Sequence, residues 1–135
     1  MTAVLVDSNV LLDVMTESPQ WATWSANALA AAADSARLVI NAMVYAEISV
    51  RYIRIEDLEA ALPRNFIDRE PIPEAAAFLA AKAFLAYRRR GGTRTSPLPD
   101  FFIGAHAAVA GYRLLTRDAA RYRTYFPHLP LIAPN

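Results

Sequence analysis

Four acidic residues in this chain are of the type and placement that could bind a metal ion together: Asp7, Glu47, Asp100 and Asp118. The chain has no cysteine, and carboxylate oxygens without thiolate or imidazole partners are hard ligands that suit Mg²⁺ or Mn²⁺ better than zinc. Three or four carboxylates brought together without a cation would repel one another. A divalent ion removes that repulsion and can activate water for attack on a phosphodiester. The hypothesis requires that the fold bring the four acids to one place.

Asp7 follows four apolar residues that do not alternate with polar ones, as in a strand buried on both faces of a parallel sheet. Ser8 and Asn9 then favour a helix N-terminus, and apolar residues recur at helical spacing after them. Asp7 is therefore predicted at the carboxyl end of a strand, the edge at which open α/β sheets bind ligands. By itself it could also be a turn residue that caps the helix.

Asp118 repeats the arrangement of Asp7, because it follows the short apolar strand at residues 114–115 and precedes a predicted helix. If these two strands are neighbours, the two carboxylates face each other across a crevice at the sheet edge. Asp100 is predicted in the first turn of a helix and Glu47 one to two turns into another. Their ordinary roles remain open: a helix-dipole interaction for Asp100 and a pair with Arg51 for Glu47.

The order of predicted elements is βαβαβαβαβ without a repeat or linker, which indicates one domain over residues 1–135. The strands are predicted at residues 3–6, 38–40, 65–69, 113–116 and 131–133. The helices are predicted to begin near residues 8, 18, 42, 55, 73, 100 and 118. This pattern predicts a three-layer α/β fold around a parallel sheet.

Composition limits the class of protein. Hydrophobic residues make up 55% of the 135 residues, which is ample for one core, and the net charge is +1. No signal-like apolar run opens the sequence, and the longest uncharged stretch, residues 18–33, is too polar and too short to cross a bilayer. We therefore expect a cytoplasmic protein that does not span a membrane.

Basic residues are almost all arginine, whose planar fork suits phosphate groups. They cluster at Arg88, Arg89, Arg90 and Arg94, and again at Arg113, Arg117, Arg121 and Arg123. Arginine bias can also reflect genome composition, and solvated helix ends are the favoured explanation of these clusters. The loop at residues 91–98 adds hydroxyl groups and leads directly to Asp100, so Thr93, Arg94 and Ser96 are predicted to bind substrate phosphate.

Four segments together resemble a PIN domain of the VapC type, the toxin half of bacterial toxin–antitoxin pairs. They are DSNVLLD at 7–13, NAMVYAEI at 41–48, PDFFIGAHA at 99–107 and LLTRDAARYRTYFP at 114–127. The resemblance implies a metal-dependent endoribonuclease with a five-stranded parallel sheet flanked by helices, and it places the catalytic and metal-binding quartet on Asp7, Glu47, Asp100 and Asp118. Asn9 and Thr116 occupy the family's supporting polar positions.

The same resemblance implies Mg²⁺ as cofactor, with Mn²⁺ as an alternative, and RNA as substrate. It also implies a homodimer that a small cognate antitoxin neutralises. The mean hydropathy of +0.17 is high for one small domain, so we expect an exposed apolar face for self-association or antitoxin binding, including part of residues 21–29.

Two nearby residues are assigned outside the metal site. Asp13 is predicted to be structural or to hydrogen-bond to a metal ligand without contacting the metal itself. His106 is predicted to be packed or hydrogen-bonded rather than to act as a base.

Three other functions start from similar features. A haloacid-dehalogenase-like phosphatase also begins with a strand that ends in aspartate, but it needs a second aspartate where this chain has Asn9. A receiver-like signalling domain needs a lysine late in the chain, whereas the lysine here, Lys82, is predicted in the middle of a helix. A catalytically silent module that binds RNA or protein remains open, and metal-dependent RNA cleavage distinguishes it from an enzyme.

Overall fold

The structure of the protein, a computed structural model, describes residues 2–135. Five strands form its sheet: β1 (Ala3–Val6), β2 (Arg37–Ile40), β3 (Asp68–Arg69), β4 (Arg113–Leu115) and β5 (Leu131–Ile132). Seven helices connect and cover the strands in the described part of the chain: α1 (Ser8–Met15), α2 (Ala22–Ser35), α3 (Ala42–Ser49), α4 (Ile55–Ala61), α5 (Glu74–Arg89), α6 (Pro99–Ala110) and α7 (Ala120–Tyr125).

The sheet has the order β3-β2-β1-β4-β5, and every neighbouring pair is parallel. Helices flank it in a three-layer α/β arrangement, as the sequence predicts. All four residues of β1 are buried, which explains the uninterrupted apolar run that begins the chain. Because the strand order reverses on either side of β1, the crevice beyond the carboxyl ends of β1 and β4 is the switch point where ligands of such sheets bind.

Local signals fix several element ends. Asn41 caps α3, and its Oδ1 accepts hydrogen bonds from the backbone N–H groups of Met43 and Val44. Gly111 ends α6 with φ +74°, a left-handed conformation that favours glycine. These two ends orient α3 and α6, the helices that carry Glu47 and Asp100.

Three predicted boundaries are wrong. The second helix begins at Ala22 rather than near residue 18, because the Ser18 hydroxyl accepts from the Trp21 backbone N–H in a preceding turn. The third strand is reduced to Asp68–Arg69, since Phe66 and Ile67 bond back to the Pro63 carbonyl. The last helix begins at Ala120 rather than at Asp118, whose backbone N–H is held by the Thr116 hydroxyl.

Among the helices of residues 2–135, none is both long enough and apolar enough to cross a lipid bilayer.

Candidate active site

The pairing of β1 with β4 brings the first and last acidic segments together. Val6 lies opposite Leu115, and the Asp7 backbone N–H continues the ladder by donating to the Leu115 carbonyl at 2.9 Å. Thr116 therefore lies beside Asp7 although 109 positions separate them. The predicted contact between these two strand ends is present.

Asp7 is almost fully buried and accepts hydrogen bonds on both carboxylate oxygens. Oδ1 accepts from the Ser8 backbone N–H at 2.8 Å, so Asp7 does cap α1. Oδ2 accepts from Thr116 Oγ1 at 2.9 Å, from the Tyr122 hydroxyl at 3.0 Å and from Asn9 Nδ2 at 3.3 Å. Capping one α-helix requires only the first of these contacts, so the other three indicate a further role for Oδ2.

The electrostatic environment of Asp7 opposes ionisation. Burial, and then the nearby charge of Asp100, raise the pKa of Asp7 from 3.8 to about 6. Glu47 adds a smaller upward effect on this pKa, while hydrogen bonds from Thr116 and Tyr122 lower it. A carboxylate in such surroundings is stabilised by a bound cation.

Glu47 projects from α3 toward the same edge and is half-buried. Its Oε1 accepts a hydrogen bond from Ser8 Oγ at 2.9 Å. Burial raises the pKa of Glu47, the Ser8 hydroxyl lowers it and the charge of Asp100 raises it. The alternative pair with Arg51 is not the contact that Glu47 makes.

Asp100, in the first turn of α6, pairs with a cation from α7. Its Oδ2 lies 3.2 Å from an Arg121 guanidinium nitrogen. Burial raises the pKa of Asp100, Arg121 lowers it, Asp118 raises it and the Tyr122 hydroxyl lowers it. Asp100 therefore interacts with all three other acids, because its charge also raises the pKa values of Asp7 and Glu47.

Asp118 is the outermost member of the quartet. The residue is exposed, and its backbone N–H donates to Thr116 Oγ1 at 3.1 Å. Its charge reaches Asp100. The structure thus gathers Asp7, Glu47 and Asp100 into one group of interacting acids and places Asp118 beside Asp100 at its rim.

In residues 2–135, no group of three His, Cys, Asp or Glu side chains is already arranged to hold a metal ion. Protein donors satisfy three of the acids instead: Ser8 binds Glu47, Arg121 binds Asp100, and four donors bind Asp7. The donor set is all oxygen and the acids raise one another's pKa, so the residues fit a hard divalent cation by chemistry.

Asn9 and Thr116 lie where the sequence predicts supporting residues. Asn9 Nδ2 donates to Asp7 and lies 3.3 Å from Thr116 Oγ1, and its Oδ1 accepts from the Arg117 backbone N–H at 3.2 Å. The two side chains tie the β4–α7 connection to the start of α1. They hold Asp7 in one orientation.

Comparison with known proteins identifies the fold family. The family model described as the PIN domain matches residues 4–127. The chain belongs to the PIN domain family. No curated protein matches the chain at a significant level.

Several solved structures that align with this PIN domain are toxin–antitoxin complexes. VapBC2 from Rickettsia felis, bound to a promoter DNA fragment, aligns with a TM-score of 0.76 at 16% identity, covering 99% of this chain and 100% of that one. VapBC-1 from nontypeable Haemophilus influenzae gives 0.73 at 17% identity, covering 98% of each chain. FitAcB from Neisseria gonorrhoeae gives 0.68 at 17% identity, covering 96% of each. At these identities the likeness shows the fold.

The loop at residues 91–98 of this PIN domain is tied to the end of α5. The Tyr87 hydroxyl accepts from the backbone N–H groups of Thr93 and Arg94, at 3.2 and 3.3 Å, and Arg88 donates to the Arg94 carbonyl at 2.8 Å. Thr93, Arg94 and Ser96 are all exposed. The loop backbone is anchored while these side chains face solvent.

Asp13 and His106 have other partners. Asp13 is buried, and its Oδ2 accepts from Ser25 Oγ and from Arg117 Nε, both at 2.8 Å. His106 is buried with Nδ1 3.1 Å from Asn41 Nδ2, and burial lowers the pKa of His106. Both side chains help to hold helices in place.

Sequence reasoning missed three residues that contact the quartet: Ser8, Arg121 and Tyr122. Arg121 and Tyr122 follow Asp118 by three and four positions, which is the spacing of one helical face. That spacing could have indicated that α7 turns this face toward the acids. Ser8 gave no signal beyond its preference for a helix start.

Proposed function

We propose that this PIN domain is the toxin of a toxin–antitoxin pair and acts as a metal-dependent endoribonuclease. The observation that carries the proposal is the gathering of Asp7, Glu47 and Asp100, whose pKa values burial and mutual charge all raise, at the switch point of a parallel sheet. A group of buried acids that disfavour their own ionisation costs free energy in folding. Such a cost is typical of a functional site rather than of helix caps.

Asp7, Glu47, Asp100 and Asp118 would hold one or two Mg²⁺ or Mn²⁺ ions. When bound, such an ion supplies positive charge to the scissile phosphate and lowers the pKa of a coordinated water. By family resemblance, the products are expected to carry a 5′-phosphate and a 3′-hydroxyl.

The other residues of the site keep the acids oriented. Thr116, Asn9 and Tyr122 fix Oδ2 of Asp7, and the Ser8 backbone fixes Oδ1. The Ser8 hydroxyl fixes Glu47. Outer hydrogen bonds of this kind typically change metal affinity or activity by about ten- to a hundredfold.

RNA recognition is proposed for the anchored loop that precedes Asp100. Its exposed Arg94 supplies a charge for a phosphate, and Thr93 and Ser96 supply hydroxyl donors. The loop passes directly into α6, so a strand of RNA at the acidic group would lie beside it.

The test is cleavage of a defined single-stranded RNA, with and without EDTA, by wild type and by Asp7→Asn and Asp100→Asn. Both substitutions retain shape while removing one charge, and asparagine caps helices about as well as aspartate. We expect EDTA to abolish cleavage and each variant to lose about a hundredfold or more. Melting temperatures are recorded for every variant.

The matched control is Asp34→Asn, an exposed acid near the end of α2 and away from the quartet. It should cut RNA as wild type does. Full activity in EDTA, or undiminished cleavage by both quartet variants, would refute the proposal and favour a silent binding module.

An antitoxin surface is proposed at a groove between α1, α2 and α4 of about 280 Å³. Its lining is apolar and includes Val14, Ala26, Leu29, Ala30, Leu62 and Phe66. Val14 and Phe66 are exposed large hydrophobic residues. The α1 helix links the two places, since Asp7 caps its N-terminus and Val14, near its C-terminus, lines the groove.

A homodimer surface is proposed at the connection from α3 to α4. Val50, Ile53 and Ile55 are 86%, 103% and 64% exposed within six positions. Three largely exposed apolar side chains in one short segment are typical of an interface.

A further inference from the structure

The α7 helix places a positive charge on one of the metal-ligand acids. An Arg121 guanidinium nitrogen lies 3.2 Å from Asp100 Oδ2. Of the ion pairs formed within residues 2–135, this is the one that includes a member of the quartet. Arg121 therefore supplies Asp100 with part of the counter-charge that a divalent ion would supply.

A metal ion could replace Arg121 as the partner of Asp100. The side chains of Arg121 and Asp100 are 41% and 34% exposed, and ion pairs at such exposure are weak. A divalent ion on the same carboxylate offers a stronger interaction because it carries twice the charge and replaces a single contact. Asp100 can therefore change partner without unfolding its surroundings.

Arg117, the other arginine close to Asp118, cannot exchange its partner in this way. The Arg117 Nε lies 2.8 Å from Oδ2 of the buried Asp13, and its guanidinium lies 5.5 Å from the centre of the Trp21 ring. Arg117 is thus committed to the packing of α1 and α2. Arg121, next to the Tyr122 that contacts Asp7, is the α7 cation that borders the acids.

We infer that Arg121 is a two-state residue of the site, which neutralises Asp100 when no metal is bound and contacts a phosphate of the RNA once metal occupies that carboxylate. The inference rests on the proposed function. It gives the Arg121–Asp100 ion pair, which joins α7 to α6, a role in the site. It also makes metal binding and phosphate binding mutually supportive, since each releases one partner of the same ion pair.

The experiment measures two quantities with opposite expected signs. The first is Mn²⁺ affinity, by calorimetry on the RNA-free protein. The second is affinity for a short labelled single-stranded 2′-O-methyl RNA of mixed sequence, a probe that does not undergo cleavage, across a series of salt concentrations with Mn²⁺ present. The variants are Arg121→Gln, Arg121→Lys and Arg123→Gln.

Arg121→Gln should bind Mn²⁺ about two- to fivefold more tightly, the range that corresponds to loss of an exposed ion pair. It should also bind the RNA more weakly, with the slope of log affinity against log salt reduced by about 0.7, as expected for one phosphate contact to a single strand. Arg121→Lys, which retains the charge, should restore most of the slope. Arg123→Gln removes the same charge from the same helix without touching the quartet, and should leave Mn²⁺ affinity unchanged.

Equal or weaker Mn²⁺ binding by Arg121→Gln, while Asp100→Asn weakens it, would overturn the inference and leave the proposed function standing. An unchanged salt slope in Arg121→Gln would likewise overturn it. If wild type and Asp100→Asn both fail to bind Mn²⁺, the proposed function fails and the inference fails with it.

Discussion

The Tyr122 hydroxyl donates a hydrogen bond to Asp7 Oδ2 at 3.0 Å, joining the last helix of the chain to the end of its first strand. Both residues are buried. Burial, and then the neighbouring acids, raise the pKa of Tyr122 well above its ordinary value, so it remains a donor at neutral pH. Its proton stabilises an Asp7 carboxylate that burial otherwise disfavours.

Tyr122→Phe removes this donor without a large change in shape. We expect the metal-free protein at neutral pH to lose about 1.5–3 kcal/mol of unfolding free energy, the usual contribution of a hydrogen bond to a charged group. The pKa of Asp7 should rise further. Urea denaturation in EDTA measures the first effect, and NMR titration of the Asp7 carboxyl measures the second.

The control is Tyr125→Phe on the same helix, whose ring packs against Phe101 and Tyr87. It should change stability by about 0.5 kcal/mol or less. Equal losses from the two substitutions would show that the Asp7 contact is not what stabilises the site.

Asp7 should give the metal-free protein a distinctive pH dependence. Its pKa is raised from 3.8 to about 6 in the folded state, so between these values the folded protein keeps a proton that the unfolded chain has lost. The folded state therefore binds more protons, and the free energy of unfolding falls as pH rises through this window. The shift corresponds to about 3 kcal/mol.

Asp7→Asn should lack this decline, because the amide does not titrate and the Thr116 and Tyr122 hydroxyls can rotate to accept from it. Denaturation in EDTA at several pH values between about 4 and 7 gives the difference curve between wild type and variant. A flat difference curve would contradict the assignment of the raised pKa to Asp7.

Arg94→Ala should weaken binding of single-stranded RNA and reduce its salt dependence by about 0.7 in slope. The reason is that the loop backbone is held by Tyr87 and Arg88 while the Arg94 side chain is exposed. Fluorescence anisotropy across a salt series measures both. The control is Arg113→Ala, at the end of β4 that lies away from the acids. If it lowers the slope as much as Arg94→Ala does, the loop has no special part in binding.

Ile53→Asp should shift the isolated protein toward monomer, because it places a charge among Val50 and Ile55 in the exposed apolar segment. Light scattering across a concentration series measures the change. Phe78→Asp alters another exposed apolar residue, which lies on α5, and should have no effect. A wild type that is monomeric throughout would contradict a dimer at this surface.

Sequence patterns specified the fold because its signals are local. The apolar run before Asp7, the similar strand before Asp118 and the caps at Asn41 and Gly111 act within a few residues, and parallel strands end at one edge of a sheet. These features were sufficient to predict five strands along the chain and a parallel sheet, whereas the sheet order that places β1 beside β4 was only a condition of the predicted site. The predicted start of the last helix at Asp118 was wrong. The Thr116 hydroxyl holds the backbone there in a turn, and α7 begins two residues later.

Only the tertiary structure decided which donors meet which acids. The contacts of Tyr122 with Asp7, Arg121 with Asp100 and Ser8 with Glu47 join residues 115, 21 and 39 positions apart. They depend on how α7 packs against α6 and how α3 packs against α1, and no local propensity encodes these arrangements. The raised pKa of Asp7 has the same origin, since burial and the charge of Asp100 act through space rather than along the chain.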